Sequence, residues 1–299
     1  MEIEFIRALR QRLPQNPQLL VGPGDDAAVL RPDGSIVTCD LLCDGTHFSL
    51  ATDAPEKIGR KALAVNLSDL AAMAAKPLAG FLAVALPREN TAVAEQLLEG
   101  MLPLAEKFAV AIAGGDTNVW EGPLVVSITL IGQSPHGPLL RSGAQPGDHL
   151  LVTGSLGGSL LGKHFDFTPR VEEALYLQSH YPLHAGIDIS DGLARDASRL
   201  SEESGCGVAI DLASVPISEA ANRMAAEDNG GSPLDRALGD GEDFELLLAL
   251  PPSDAAELIA AQPLTTKLTK IGSFVESPGL WQGTDAYRPL AITGYEHGA

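Results

Sequence analysis

The amino-acid sequence predicts a protein of the mixed α/β (α+β) class that is built from two domains. The chain has 299 residues, and 45% of them are hydrophobic, which is enough to bury two cores of ordinary size. Apolar runs typical of strands alternate with helical patterns in both halves. The turn-rich segment Ser134–Asp148 lies between the halves, so we place the domains at residues 1–137 and 138–299.

The first half is expected to alternate strands and helices after a short amphipathic helix over residues 2–13. A helix begins at Pro55, because proline suits the first turn, where its missing N–H would have no partner. The expected elements are a strand after GPGDD, a strand over 35–42, a helix over 55–75, a buried strand over 77–87, a helix over 91–108 interrupted or kinked at Pro103, a strand over 109–116 that ends at a glycine pair, and a strand over 123–132.

The second half repeats this alternation without any fixed-period sequence repeat. The expected elements are strands over 149–154, 186–190, 207–212, 243–250 and 267–275, and helices near 157–164, 170–179, 191–204, 218–226 and 253–261. The polar stretch over 226–233 is expected to be a loop. Two α/β units follow from the pattern.

The charge of the chain narrows the choice of partners. There are 39 acidic and 20 basic residues, which gives a net charge of −19. Nucleic acids and anionic membranes are poor partners, because both require cationic surfaces. An acidic protein that handles phosphates needs metal ions as intermediaries. Solubility alone also explains the charge.

The cysteines and the apolar runs indicate a cellular location. The cysteines Cys39, Cys43 and Cys206 are odd in number and do not have the spacing of a disulfide framework or a zinc site. The N-terminal segment mixes charges into its helical pattern, unlike a signal peptide, and LVVSITLIG is far shorter than a membrane span. We therefore expect a soluble, cytoplasmic protein.

Aspartates occur at strand ends and glycine turns rather than along one solvated face. Asp25 and Asp26 follow GPG and Asp116 follows a glycine pair, although a simple turn would explain each of them. Asp40 lies within an apolar run, where a buried carboxylate without a cation would cost several kcal/mol. A strand at the edge of the sheet, with Asp40 facing water, is the alternative.

Asp69 lies in the helical segment KALAVNLSDLAAM, one turn after Asn66 and far from either end. Aspartate is a weak helix former in such a position. The helix has little charge on any face, which indicates burial between layers. A single aspartate that faces solvent is the alternative.

The stretch GIDISDG joins a strand to a helix. Ile187 and Ile189 share one strand face, so Asp188 and Ser190 share the other, and Asp191 begins the helix. Helix capping explains one of these oxygens but leaves Asp188 unexplained. Taken with the aspartates above, these residues form a set of hard oxygen ligands, which suits Mg²⁺ and metal-dependent phosphate chemistry.

A further glycine-rich stretch, TGSLGGSLLGKH, follows a predicted strand. Gly157, Gly162 and Lys163 match the spacing GxxxxGK of a P-loop. His164 stands where a P-loop has serine or threonine for its magnesium ion. A glycine-rich helix start is the simpler interpretation.

Seven motifs occur in a defined order along nearly the whole chain. They are GPGDDAAVL, CDLLCDGTHF, KALAVNLSDLAAM, AGGDT, LLRSGAQPGD, IDISDGL and GEDFEL. In this order they resemble the thiamine-monophosphate kinase family, from about residue 18 to Tyr295. The resemblance implies an aminoimidazole-ribonucleotide synthetase-like architecture. An N-terminal domain would dimerise through its sheet, a C-terminal α/β domain would follow, and ATP would lie in the cleft between them.

The resemblance also implies the reaction and the residues that serve it. ATP would phosphorylate thiamine monophosphate to thiamine diphosphate, with several Mg²⁺ ions. Metal ligands would be Asp26, Thr38, Cys39, Asp40, Asp69, Asp116, Asp188 and Asp191. The nucleotide would contact Gly115, Asp116, Arg141 and Ser190, and thiamine monophosphate would contact His47, Glu242 and Tyr295.

The sequence departs from the family pattern at several positions. Cys39 replaces a common threonine, Ala74 a glycine, Phe108 a tyrosine, and Asp240 the first glycine of a GGED motif. The segment between Gly158 and His164 is shorter than usual. These differences put a hydroxyl ligand at position 39 and a hydroxyl contact at position 108 in doubt.

The mechanism expected from the resemblance is direct in-line transfer. The acceptor is a phosphate oxygen that is already anionic near neutral pH, since the second pKa of a phosphate monoester is about 6. Two alternatives stay open. One is another ATP-dependent enzyme of the superfamily, such as selenophosphate synthetase or a hydrogenase maturation factor, whose cysteine-bearing segments we do not find. The other is a catalytically silent protein that binds metal and nucleotide.

Overall fold

The computed structural model describes residues 19–21, 25–31, 33–227 and 230–296, and the helix predicted over 2–13 lies outside them. The strands are β1 Leu19–Val21, β2 Ala28–Leu30, β3 Ile36–Cys43, β4 Lys76–Pro87, β5 Ala111–Trp120, β6 Val125–Gln133, β7 His149–Thr153, β8 Ala185–Asp188, β9 Gly207–Ile210, β10 Leu246–Leu250, β11 Leu268–Val275, β12 Gly279–Gln282 and β13 Arg288–Pro289. The helices are α1 Pro55–Ala72, α2 Val93–Lys107, α3 Lys163–Asp166, α4 Val171–His180, α5 Leu193–Ser204, α6 Glu219–Glu227, α7 Pro233–Gly239 and α8 Pro252–Ala261.

The strands form two separate sheets, which confirms the predicted fold class. The first sheet has the order β1-β2-β3-β6-β4-β5, and the second has the order β13-β12-β9-β11-β7-β10-β8. Most neighbouring strands are antiparallel, and the pairs β4–β5 and β9–β12 are parallel. The first sheet ends at Gln133 and the second begins at His149. The boundary between residues 137 and 138 stays a prediction.

Helix α1 lies at the centre of the molecule, as its low charge predicts. It is buried along almost its whole length, packs against α2 and β3, and also contacts α4 of the second half. A continuous apolar cluster runs from the first sheet through α1 to one face of the second sheet. Because α1 touches both halves, any polar side chain on it lies close to their junction.

Two glycines set the spacing between α1 and α2. A Cβ atom at Gly59 would lie 2.0 Å from the carbonyl oxygen of Leu97, and one at Gly100 would lie 1.7 Å from that of Glu56. Both distances are far shorter than van der Waals contact. Glycine at both positions therefore allows the two helix backbones to approach closely.

The first sheet has one covered face and one open face. On β3 the side chains of Ile36 and Leu42 are buried on the helix side, whereas Leu41 is 56% exposed on the opposite side. On β4, Phe81 is 42% exposed, so the prediction of a fully buried strand is wrong. The alternation is that of a sheet with helices on one side only.

Strand β5 also differs from its prediction, because it runs through the glycine pair and continues to Trp120. A Cβ atom at Gly115 would lie 1.8 Å from the carbonyl oxygen of Leu82 on the paired strand. The glycine therefore allows close pairing with β4 instead of ending the strand. Helix α2 likewise continues through Pro103.

Helix α7 was not predicted, although its start carries a capping box in which Ser232 and Asp235 bond to each other's backbone N–H groups. Strand β10 begins three residues later than predicted, because Glu242 and Phe244 adopt left-handed backbone conformations with φ of 51°. None of the helices in the described ranges combines the length and apolar character needed to span a bilayer.

Candidate metal and substrate site

Three aspartates from distant parts of the chain meet where the two halves join. Asp26 precedes β2, Asp69 lies in α1, and Asp188 ends β8. One carboxylate oxygen from each lies within 4.8 Å of one from each of the other two, and Asp26 and Asp188 are buried. Carboxylates this close repel one another unless a cation lies among them. Because carboxylate oxygens are the ligands that Mg²⁺ prefers, this acidic triad fits a divalent cation.

Neighbouring polar side chains orient the acidic triad. The Thr38 hydroxyl donates a hydrogen bond to Oδ2 of Asp69, and Ser68 Oγ donates to Oδ2 of Asp188 over 2.5 Å. The backbone N–H of Asp40 donates to Asn66 Oδ1 over 3.1 Å. Thr38 and Asp40 alternate with the exposed residues of β3, so both face the helix side with the triad.

Burial and mutual repulsion make the carboxyl groups of Asp40, Asp69 and Asp188 hard to ionise. Burial raises the pKa of Asp69 well above its usual range, and the charges of Asp40 and Asp188 raise it further. Burial, followed by the charge of Asp26, does the same to the pKa of Asp188 and raises the pKa of Asp40 to about 6. A bound cation would favour the ionised forms.

Arg141 supplies positive charge at one side of the triad. Its Nε and Nη2 atoms donate to the two carboxylate oxygens of Asp26 over 2.9 and 2.7 Å. Its backbone N–H donates to Oδ2 of Asp25 over 3.1 Å. The segment that joins the two halves thus places a bidentate guanidinium against a carboxylate of the triad.

The junction between β8 and α5 is held by a residue that sequence reasoning missed. Oδ2 of Asp196 accepts hydrogen bonds from the backbone N–H groups of Ser190 and Asp191 over 3.1 and 3.0 Å. Asp196 is completely buried, which raises its pKa to about 7 even though the charge of Arg199 opposes the shift. The signal was an aspartate on the apolar side of α5 with arginine three residues later.

Asp191 belongs to this junction rather than to the acidic triad. Its Oδ2 lies 2.6 Å from Nη2 of Arg199, which also contacts Asp196. The backbone oxygen of Asp191 accepts from the N–H of Tyr295 over 2.9 Å. Oδ2 of Asp191 is therefore engaged by Arg199 at this junction.

Cys39 and Asp116 lie on the open face of the first sheet. Cys39 is exposed, and its Sγ lies 3.5 Å from Ser127 Oγ. Asp116 pairs with Ala83, which pairs with Ser127, which pairs with Leu41, so these four residues form one row across the open face. Neither side chain joins the acidic triad of its own chain.

A second polar cluster adjoins the triad and contains two of the predicted substrate residues. Nζ of Lys61 lies 2.8 Å from the backbone oxygen of His47, 2.7 Å from Oε1 of Glu242 and 3.1 Å from Nδ1 of His164. The backbone N–H of Glu242 donates to Ser190 over 2.7 Å, which links this cluster to the β8–α5 junction.

The pKa of the carboxyl group in this second cluster is lowered, whereas the pKa values of Asp69 and Asp188 in the triad are raised. Burial opposes the charge on Glu242, but the hydrogen bond from His164 and the charge of Lys61 outweigh it and lower the pKa of Glu242. Tyr295, the third predicted substrate residue, is 46% exposed above the Asp191 backbone. The structure thus brings some of the predicted residues into two adjoining groups, whereas Cys39, Gly115 and Asp116 lie outside both.

The departures from the family pattern have local explanations. Oδ2 of Asp240 accepts a hydrogen bond from the Gly158 N–H over 2.8 Å, so this carboxylate binds the backbone of the glycine-rich loop. Phe108 is buried in the apolar core at the end of α2. Ala74 has a left-handed backbone with φ of 48°, which explains why glycine suits that position.

The glycine-rich stretch does not have the arrangement of a P-loop. Nζ of Lys163 lies 3.0 Å from Oε1 of Glu245 and donates to the backbone oxygen of Ser155 over 2.9 Å. Both carboxylate oxygens of Asp243 accept from the Gly157 N–H. The lysine and the loop amides are therefore engaged within the second half.

Both halves of the chain match known proteins. Residues 24–134 match the family model of the AIR synthase related protein N-terminal domain, and residues 145–280 match that of its C-terminal domain. Thiamine-monophosphate kinase of Rhodopirellula baltica is 43% identical over all of this chain and 98% of its own length. The Caulobacter vibrioides enzyme of that name is 36% identical over 99% of this chain and 91% of its own length.

A solved structure supports the same likeness. AaThiL complexed with AMPPCP and TMP superimposes on this chain with a TM-score of 0.84 and 27% sequence identity. The match covers 99% of this chain and 96% of that one. Both domains, and hence the junction that holds the acidic triad, fall within the superimposed region.

Proposed function

The chain belongs to the thiamine-monophosphate kinase family, and we propose that it transfers the γ-phosphoryl group of ATP to thiamine monophosphate to form thiamine diphosphate. The acidic triad at the junction of the two halves carries this proposal, because it provides the oxygen ligands that ATP-dependent phosphoryl transfer requires. The Glu242 cluster beside it provides contacts for the second substrate.

The residues of the site would act by binding and aligning two polyanions. Asp26, Asp69 and Asp188, with Thr38 and Asp40 beside them, would hold Mg²⁺. Bound Mg²⁺ neutralises the phosphates of both substrates. Arg141 directs its guanidinium to the same place and would orient the ATP phosphates. The acceptor oxygen needs no strong base, because a phosphate monoester is already largely ionised at neutral pH.

We extend the proposal to a homodimer formed through the open face of the first sheet. Asp40, Ile128, Leu82 and Gly115 form one row across the sheet, so Asp40 and Gly115 are about three strand spacings, or roughly 14 Å, apart. Asp116 follows Gly115 and faces the open side, away from the triad of its own chain. A partner packed on the open face would bring Gly115 and Asp116 of one chain towards the nucleotide of the other.

The cysteines and the net charge bear on the compartment and the partners of the protein. The three cysteines are all free thiols in the structure, which suits a reducing compartment such as the cytoplasm. Neither nucleic acid nor a membrane is proposed as a partner, since the net charge is −19.

The proposal is tested by measuring thiamine diphosphate formation from ATP and thiamine monophosphate with Mg²⁺. We expect turnover by the wild-type protein and a loss of about 100-fold or more for Asp188→Asn. The matched control is Asp285→Asn, at an exposed position, which should retain full activity. A protein that binds ATP but forms no thiamine diphosphate would support the silent binding protein instead.

A further inference from the structure

Lys61 is a buried cation whose role the metal site does not explain. It lies in α1 with no exposed surface, and its Nζ lies 5.4 Å from the centroid of the Phe165 ring. Its ammonium nitrogen lies within hydrogen-bond distance of three groups, namely the backbone oxygen of His47, Oε1 of Glu242 and Nδ1 of His164. The first group belongs to the N-terminal half and the other two belong to the C-terminal half.

Burying an ammonium group is unfavourable unless its partners are well placed. Burial lowers the pKa of Lys61, and the charge of Glu242 opposes this shift. An apolar side chain of similar length would fill the same volume without the cost of desolvation. A charged side chain at this position is therefore better explained by what it holds than by packing alone.

Another lysine of the same helix shows what an ordinary contact between the halves looks like. Lys57 lies one turn earlier in α1 and pairs with Asp166 at 3.2 Å. Both side chains are exposed, at 50% and 58%, so this pair is screened by water and contributes little. Lys61 makes a shorter contact with Glu242, at 2.7 Å and with no exposure of its own.

Glu242 itself lies on a strained segment. Its backbone has φ of 51°, a conformation that a non-glycine residue adopts only when its surroundings hold it there. Its N–H bonds to Ser190, and its second carboxylate oxygen lies 3.3 Å from Nδ1 of His164. The ammonium of Lys61 therefore fixes the direction of this carboxylate while the backbone is fixed from the other side.

We propose that Lys61 is a positioning residue for thiamine monophosphate. It does not touch the substrate, but it holds the Glu242 carboxylate and the His47 segment, on opposite sides of the junction, in the geometry that the substrate requires. This inference rests on the proposed function. It assigns Lys61 to the recognition of thiamine monophosphate and not to the binding of ATP.

The first test is Lys61→Met, which removes the charge and keeps the length of the side chain. We expect the KM for thiamine monophosphate to rise by roughly 10-fold or more, because a hydrogen bond to a charged group is lost. The KM for ATP should change by less than about 3-fold. The matched control, Lys57→Met, removes the exposed pair of the same helix and should leave both KM values unchanged.

The second test is a double-mutant cycle with Glu242→Gln. If Lys61 acts through Glu242, Lys61→Met should change the KM for thiamine monophosphate by less than about 2-fold in the Glu242→Gln background. An undiminished effect in that background, an equal rise in both KM values, or no change in a folded Lys61→Met protein would overturn the proposal.

The stability of each variant is measured by thermal unfolding together with its kinetics. If Lys61→Met does not fold, Lys61→Gln retains a hydrogen-bond donor and replaces it in both tests. Failure of both variants to fold would show that Lys61 is structural and would also overturn the inference. Absence of turnover in the wild type would contradict the proposed function. Calorimetric binding of thiamine monophosphate to each variant would still decide the role of Lys61.

Discussion

At the scale of single residues, we expect the carboxylates of the acidic triad to lower the stability of the metal-free protein while serving its proposed activity. Asp69 is surrounded by Asp26, Asp40 and Asp188, and its pKa is raised by burial and by their charges. We expect Asp69→Asn to stabilise the metal-free protein by about 1 kcal/mol, or roughly 2–4 °C in melting temperature, because one repelling charge is removed. The same change should lower kcat by about 100-fold or more.

Thermal unfolding in the presence of a chelator and steady-state kinetics with Mg²⁺ check both parts of this prediction. Asp285→Asn removes an exposed carboxylate and should alter neither. If Asp69→Asn were destabilised without metal and kept its activity, Asp69 would be a structural hydrogen-bonding residue rather than part of a cation site.

Buried carboxyl groups beside the triad also make the stability of the protein depend on pH. The pKa values of Asp25 and Asp40 are raised from 3.8 to about 6, mainly by burial. An acid with a raised pKa binds its proton more tightly in the folded state, so its contribution to stability is present at low pH and is lost as the pH rises through about 6. Glu242, whose pKa is lowered, contributes in the opposite sense.

Because a cation binds the ionised carboxylates, the stabilisation by Mg²⁺ should grow as the pH rises from about 4 to about 7. Urea unfolding midpoints with chelator and with saturating Mg²⁺, measured across this range, check the prediction. Equal Mg²⁺ stabilisation at both ends of the range would mean that the triad does not bind the ion.

At the scale of elements, α1 and α2 end in the same motif with an unusual residue. At the end of α1, the N–H groups of Ala74 and Ala75 bond to the carbonyl groups of Ala71 and Leu70, and Ala74 takes the left-handed position. Glycine is preferred there because it has no Cβ to clash. Ala109 occupies the same position after α2, with φ of 54°.

We expect Ala74→Gly to stabilise the protein by about 0.5–1 kcal/mol, because the left-handed conformation no longer strains a side chain. Ala64→Gly, ten residues earlier and in the middle of α1, should destabilise it by about 1 kcal/mol or more, since glycine is unfavourable within a helix. Chemical denaturation of the two variants measures both values. Destabilisation by both would show that the Ala74 methyl group contributes more through packing than it costs in strain.

At the scale of the whole molecule, the position of Asp116 on the open face allows the proposed dimer to be tested by measuring activity. If Asp116 serves the partner's site, Asp116→Asn and Asp69→Asn each abolish both sites of their own homodimers. Co-expression of the two variants would create mixed dimers with one site intact. Random association predicts about one quarter of wild-type activity.

Sedimentation of the wild type and activity assays on the mixed sample measure the two parts of this prediction. Lack of recovery in a stable dimer would mean that Asp116 serves its own chain or has no role. A monomeric wild type would contradict the proposed assembly. Exposed apolar side chains on the open face, such as Leu41 and Phe81, are available for such a contact.

The residue pattern alone predicted the class of fold, the order of most elements and the family, and it indicated a set of oxygen ligands for the site. Strand alternation, helical periodicity and proline at a helix start are local signals, and they placed β3, α1 and α5 within a few residues. The motif order identified aspartates such as Asp26, Asp69 and Asp188, because oxygen ligands are recognisable as residue types wherever they lie.

Only the tertiary structure decided which of these residues meet. It joined three aspartates into one triad, paired Asp191 with Arg199, and placed Asp116 on the opposite face of the sheet. It also revealed Lys61 as the link between the His47 and Glu242 segments. Contacts of this kind depend on strand register and on the packing of α1 between the two halves, and neither is encoded in any short stretch of sequence.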